Sequence, residues 1–232
     1  MNPLFLIPVI LVIVGVCFMV YMNKKHSAVK NDIDLDAERG NYDRYKQELL
    51  SQDFSHLAKW MKGKSIDAFT SGSIPQTTAG KLAKMASDGI ENVALSAIGL
   101  KRNNLETECF WVLSGHDLHF FTTDSEGELE EHMVFDNFRI EAAKLQFAGI
   151  LKSPAAVYLK SAEEYLPKVH VITFNLEGSA FALEIHDRLR YVVDPADMLN
   201  VKKQFLGRAK YQVVGEQFVD VLQSKFSNLA IA

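Results

Sequence analysis

The 232 residues carry two cysteines, Cys17 and Cys109. Cys17 falls in an apolar N-terminal stretch, so the remainder holds a single thiol and no intrachain disulfide can form within it. A basic excess is missing too: 25 Lys and Arg stand against 29 Asp and Glu, for a formal charge of −4. Nucleic-acid binders gather positive charge on one face to meet phosphates, so no nucleic-acid partner is expected. There is no Gly-rich phosphate loop, CxxC pair, GxSxG elbow or HExxH helix. Internal repeats, low-complexity tracts and heptad runs are absent as well. No catalytic signature is left, and neither an enzyme nor a cofactor is expected.

Charge is missing altogether from Pro3 to Met22, a run dominated by Leu, Ile and Val. A helix of that length spans roughly 30 Å, the thickness of a bilayer's hydrocarbon core. A cleaved signal peptide would want Lys or Arg before the run and a small-residue site after it. Instead Asn2 and the α-amine precede it, and Asn23-Lys24-Lys25-His26 follow. A retained transmembrane anchor over residues 1–25 is expected, with the lipid bilayer as partner of residues 3–22. Pro8 and Gly15 are tolerated in such helices, and Tyr21 sits where an interfacial aromatic would. Lys24, Lys25 and Lys30 all lie on the C-terminal side, so the positive-inside rule puts the N-terminus outside and the large domain in the cytoplasm. The expectation is a single-pass protein of the cell membrane.

Residues 26–41 read as a polar tether. Within it "DIDLDAERGNYD" mimics a calcium loop through Asp32, Asp34 and Asp36. Ala37 replaces the glycine that the sharp turn requires, and Asp43 replaces the closing glutamate. A solvated acidic linker is the better reading. Residues 42–90 read as accessory helices and linker. Tyr42, Tyr45, Leu49, Leu50, Phe54, Leu57, Trp60 and Met61 recur at helical spacing, so one amphipathic helix is expected over 42–64. "SGSIPQTTAG" should break it, with a short helix near Lys81 to Ala86 after the break.

After Gly89 the period changes. "VALSAIGL", "TECFWVLSG", "DLHFFTTD", "LEEHMVFD", "FRIEAAKL", "AVYLK", "VHVITFNLEG" and "SAFALEIHD" are short runs bounded by turn residues. They lie too close together for crossover helices, so the sheet should be antiparallel. "CFWVL", apolar on both faces, should be deeply buried, and "LEEHMVF" should have one wetter side. Asp194 and Pro195 suit the start of a C-terminal helix. That helix is expected to kink or restart near Gly215, leaving 213–232 as an extension.

This order, an antiparallel strand series closed by one amphipathic helix, resembles the pleckstrin-homology-like superfold over roughly residues 91–212. The resemblance implies an α+β fold: a bent sheet or open barrel capped by the C-terminal helix. The terminal helix lacks the tryptophan typical of that family. Its first strand loop offers Lys101 and Arg102 in place of a fuller basic motif. Another small antiparallel barrel with a helical lid is the rival fold.

"GHDLHFF" gathers His116, Asp117 and His119. No further His or Cys cluster supplies the remaining metal ligands, so surface turn residues are the expectation. Lys101, Arg102, Arg188 and Arg190 are the candidate ligand-binding residues, which in such a fold sit in loops or strand ends around the sheet, where they could meet phosphate. The leading functional expectation is a membrane-tethered, non-enzymatic domain that binds or scaffolds a protein partner. The alternatives are a reader of lipid headgroups or another small anion and, behind it, an enzyme with an unrecognised site.

Overall fold

The computed structural model describes residues 33–75, 108–150, 166–176, 179–197 and 200–230, with Val14, Val16, Cys17, Val20, Tyr21 and Lys24 as isolated positions. The helices are α1 (Leu35–Arg39), α2 (Tyr42–Ser51), α3 (Ser55–Trp60), α4 (Asn137–Glu141) and α5 (Val201–Lys225). The strands are β1 (Ala68–Ser73), β2 (Cys109–Ser114), β3 (Asp117–Thr123), β4 (Leu129–Phe135), β5 (Lys144–Ile150), β6 (Lys168–Leu176) and β7 (Ser179–His186). The chain divides into two compact units, residues 1–41 with 191–210 and residues 42–190 with 211–232.

The second unit holds one seven-stranded sheet in the order β4-β3-β2-β1-β7-β6-β5, every pairing antiparallel. The α+β class with an antiparallel sheet and a C-terminal helix is therefore observed. Strand β2 lies inside this order, and five of its six residues are buried, as its two apolar faces demand. Alternation then separates two faces. On the inner face Trp111, Phe120, Phe135, Phe174 and Phe181 pack ring to ring, and Phe218 and Leu222 of α5, with Phe226 just after it, join the same core. On the outer face Phe54, between α2 and α3, sits 5.4 Å from Phe69 and 5.8 Å from Phe110. Each such ring, fully buried, contributes on the order of 1.5–3 kcal/mol, so these two aromatic layers are the main stabilising contacts of the sheet.

The transmembrane anchor is overturned: among the described residues no helix is long and apolar enough to cross a membrane. The single-pass topology and the cytoplasmic placement drawn from that anchor fall with it, while the bilayer partner expected for residues 3–22 falls almost wholly on residues outside the described ones. A crossing needs about twenty consecutive, mostly apolar helical residues. Helix α5 has the length, 25 residues, but Lys202, Lys203, Arg208, Lys210, Glu216, Asp220 and Lys225 disqualify it. Almost all of the stretch 3–22 lies outside the described residues.

Smaller corrections have local causes. The tether contains α1, because the Asp34 carboxylate accepts the Asp36 and Ala37 N–H groups as an N-cap. The helix expected over 42–64 is two helices. Their junction turns Phe54 onto the sheet, and Asp53 there accepts from the Tyr211 hydroxyl at 2.5 Å. The expected break at "SGS" is the end of strand β1. "FRIE" belongs to helix α4, which Asp136 caps through the Arg139 N–H at 3.0 Å. Asp194 and Pro195 open a short 3-10 turn, and α5 begins at Val201 and runs unbroken through Gly215. A Cβ on Gly215 would stand 2.6 Å from Arg188 Cα, so the glycine there serves a close approach, not a kink. The runs "VALSAIGL" and "AVYLK" and the helix near 81–86 lie outside the described residues.

Candidate functional site

Of the four candidate ligand-binding residues, Lys101 and Arg102 lie outside the described residues. Arg188 and Arg190 follow β7. Arg188 stands 3.6 Å from Asp187 with 11% of its side chain exposed, and Arg190 pairs with Glu108 at 3.5 Å. The two guanidinium groups thus turn to different acidic neighbours. His116 is exposed in the β2–β3 turn, whereas His119 is 1% exposed on β3, so the sequence cluster is split. Among the described residues no three His, Cys, Asp or Glu side chains gather to hold a metal ion. In the calcium-like segment Asp34 caps α1 and Asp36 pairs with Arg39. Trp111 is fully buried and donates Nε1–H to the Glu184 carbonyl at 2.9 Å, a packing role. Burial pushes the Cys109 thiol up to about 12, which leaves it protonated and inert at neutral pH.

Two polar clusters stand on the sheet. In the first, His119 Nδ1 lies 2.7 Å from His132 Nε2, and the His132 ring stacks on Phe121 with centroids 4.3 Å apart. Trp60 of α3 covers Phe121 at 5.5 Å. Burial first, then His132 and Lys64, push His119 down to about 4, and burial with Lys64 and Lys62 lowers His132. The second cluster spans β1 and β7, whose ladder joins only Gly72 to Ile185 and Ser73 to Glu184. Side chains extend that seam. The Thr70 hydroxyl donates to the His186 carbonyl at 2.6 Å, and the Ser71 hydroxyl donates to the Arg188 carbonyl at 2.7 Å. Ser73 donates to the Glu184 carboxylate and lies 3.1 Å from His186 Nε2. Burial lowers His186, against the pull of Glu184.

Among the described residues the sheet ends on β4 at one side and β5 at the other. Exposed edges present unpaired N–H and C=O groups, which proteins blunt with charge or proline. Strand β4 is blunted, with Glu130, Glu131 and His132 along it. Strand β5 carries one charge, Lys144, and leaves Phe147 52% and Ile150 46% exposed. Phe147 pairs in register with His170, and its ring lies edge-on to that imidazole at 5.7 Å. The ladder slips between Phe147 and Gly149, where Gly149 takes φ +132°. Just before β5 the Asn228 amide donates to the Ile140 and Ala143 carbonyls, fixing the strand's approach.

Neither Phe147 nor Ile150 stands out in the sequence, and His119 stands out only beside His116 as an expected surface turn residue, not as the partner of His132. The one signal in the chain is the alternation of "LEEHMVF", which puts His132 on the face opposite Met133. Comparison with protein-family models, curated proteins and solved structures finds no match.

Proposed function

We propose that this chain is a non-enzymatic binding module that takes up an extended segment of a protein partner along the open edge of β5. The observation that carries this reading is a strand that, among the described residues, stands at the edge of the sheet with one charged residue and two exposed apolar side chains. Strand addition draws affinity from main-chain hydrogen bonds and specificity from alternate side chains. Phe147 and Ile150 would supply the apolar contacts for those side chains. The strand order and the C-terminal helix on the inner core support a pleckstrin-homology-like scaffold, though scaffolds of one fold carry many unrelated functions. The anion-reader alternative draws less support, because Arg188 and Arg190 each have an acidic neighbour.

Panning a random-peptide phage library against the full chain should enrich peptides with apolar residues two apart. Phe147→Glu combined with Ile150→Lys should weaken those peptides by about tenfold or more, the equivalent of some 1.4 kcal/mol. Failure of any peptide to enrich, or equal binding by the double variant, would overturn the reading.

A further inference from the structure

His119 Nδ1 and His132 Nε2 are 2.7 Å apart, so one ring hydrogen lies between them and one of the two nitrogens is a bare acceptor. His119 Nε2 is buried without a hydrogen-bond partner. With its hydrogen on Nδ1, His119 strands only a lone pair; with it on Nε2, it strands a buried N–H, the costlier defect. The neutral pair is therefore His119 Nδ1–H donating to His132 Nε2. His132 then carries its own hydrogen on Nδ1, and its side chain is the exposed one of the two.

A further proton has no good place. On His132 Nε2 it would point at the His119 N–H across a hydrogen-bond distance. Relieving that clash moves the His119 hydrogen to the stranded nitrogen. The charged groups facing the pair are Lys62 and Lys64, from the connection between α3 and β1, and Asp117 on β3. Among the described residues Asp117 is the acid whose charge acts on the pair, and it is already engaged with Lys64 at 3.7 Å. The same connection holds Lys62 at φ +50°, a conformation lysine rarely adopts. Opening would release that strain.

We propose that the His119–His132 pair is an acid-released latch: protonation parts the rings and, through the His132–Phe121–Trp60 stack, loosens the 60–64 turn from the outer face. The release is local. Leu49, Phe54 and Leu57 remain buried and keep α2 and α3 in place. What it uncovers is the aromatic surface of Phe121 and Trp60. This device stands apart from the β5 edge and does not depend on it.

Hydrogen exchange of the full chain, corrected for intrinsic rates, tests the latch from about pH 7.5 down to about pH 3.5, because burial holds both rings below the ordinary imidazole value and His119 down to about 4. The Met61, Lys62 and Lys64 amides bond the Leu57, Lys59 and Met61 carbonyls at 2.9–3.1 Å. Their protection should fall about tenfold or more while β2 and β3 stay protected. His132→Gln, which cannot titrate, should hold that protection to the lowest pH. Three outcomes overturn the proposal: no loss in the wild type, loss that coincides with β2 and β3, or an unchanged loss in His132→Gln. The wild-type comparison alone decides between the first two if the variant fails to fold.

Discussion

A methyl group on Gly72 would lie 2.5 Å from both the Glu184 carbonyl oxygen and Trp111 Nε1. One obstacle is backbone and the other a fully buried indole, so neither can give way cheaply. Gly72→Ala should therefore destabilise the protein by about 1–3 kcal/mol, the usual range for overpacking a filled core. The urea midpoint checks it, and an unchanged midpoint would mean that the seam is looser than its geometry. Gly215→Ala sets two effects against each other. Inside a helix, alanine gains about 1 kcal/mol over glycine. Here the new Cβ would stand 2.6 Å from Arg188 Cα and the Asp187 carbonyl oxygen. Overpacking should win, and the variant should be less stable despite its better propensity. A more stable variant would show that the 187–188 segment moves aside easily.

At the scale of elements the sheet is two strand sets with long ladders, β1 to β4 and β5 to β7, joined by a two-pair ladder and side-chain hydrogen bonds. Thr70→Val keeps the shape of a fully buried residue but strands the His186 carbonyl, at a cost of about 1–3 kcal/mol. Its exchange signature should be faster amides in β1 and β7 with β2 and β3 little changed; uniform acceleration would refute a weak seam. The strands rich in large apolar residues, β2, β3, β4, β6 and β7, are legible in the sequence because dense side chains and Gly or Asp turns bound them. Strand β1 is not, since "AFTSGS" carries one large apolar residue. Its small residues answer to Trp111 and Glu184, which only the folded sheet brings near. Helix α4 hides because five residues show no period, and its cap, Asp136, also reads as a turn. Gly215 reads as a kink until the backbone opposite it is known. The candidate site is less legible still. Nothing local to Phe147 and Ile150 marks them as edge residues, because an edge is a property of the whole strand order. His119 and His132 meet only through the register that sets Phe121 opposite His132.

Over the whole molecule the perturbed histidines act in one direction. Burial is the first cause holding His56, His119, His132, His170 and His186 below the ordinary imidazole value. The unfolded chain takes up these protons near pH 6.5, about where free histidine titrates, while the folded chain resists them. The stability they confer is thus fully present above that pH. It is lost as the pH falls through the folded values, which reach about 4 for His119. Glu131 works the other way: burial, with Glu130 beside it, raises its carboxyl to about 7. The folded protein keeps that proton where the unfolded chain releases it, so this contribution is present at low pH and lost as the pH rises through about 7. Burial raises Asp187 in the same sense. Among the described residues, five lowered imidazoles against two raised carboxyls predict a Tm that declines on acidification from neutral pH toward pH 4.5, measurable by calorimetry. Glu131→Gln separates the opposing effects, since it removes the charge and keeps the shape. At alkaline pH it should raise Tm by roughly 2–4 °C, the shift expected for about 1 kcal/mol in a chain of this size. At pH 5, where the folded carboxyl is already protonated, it should change little. An equal gain at both pH values would trace the effect to packing and remove the buried charge as its cause.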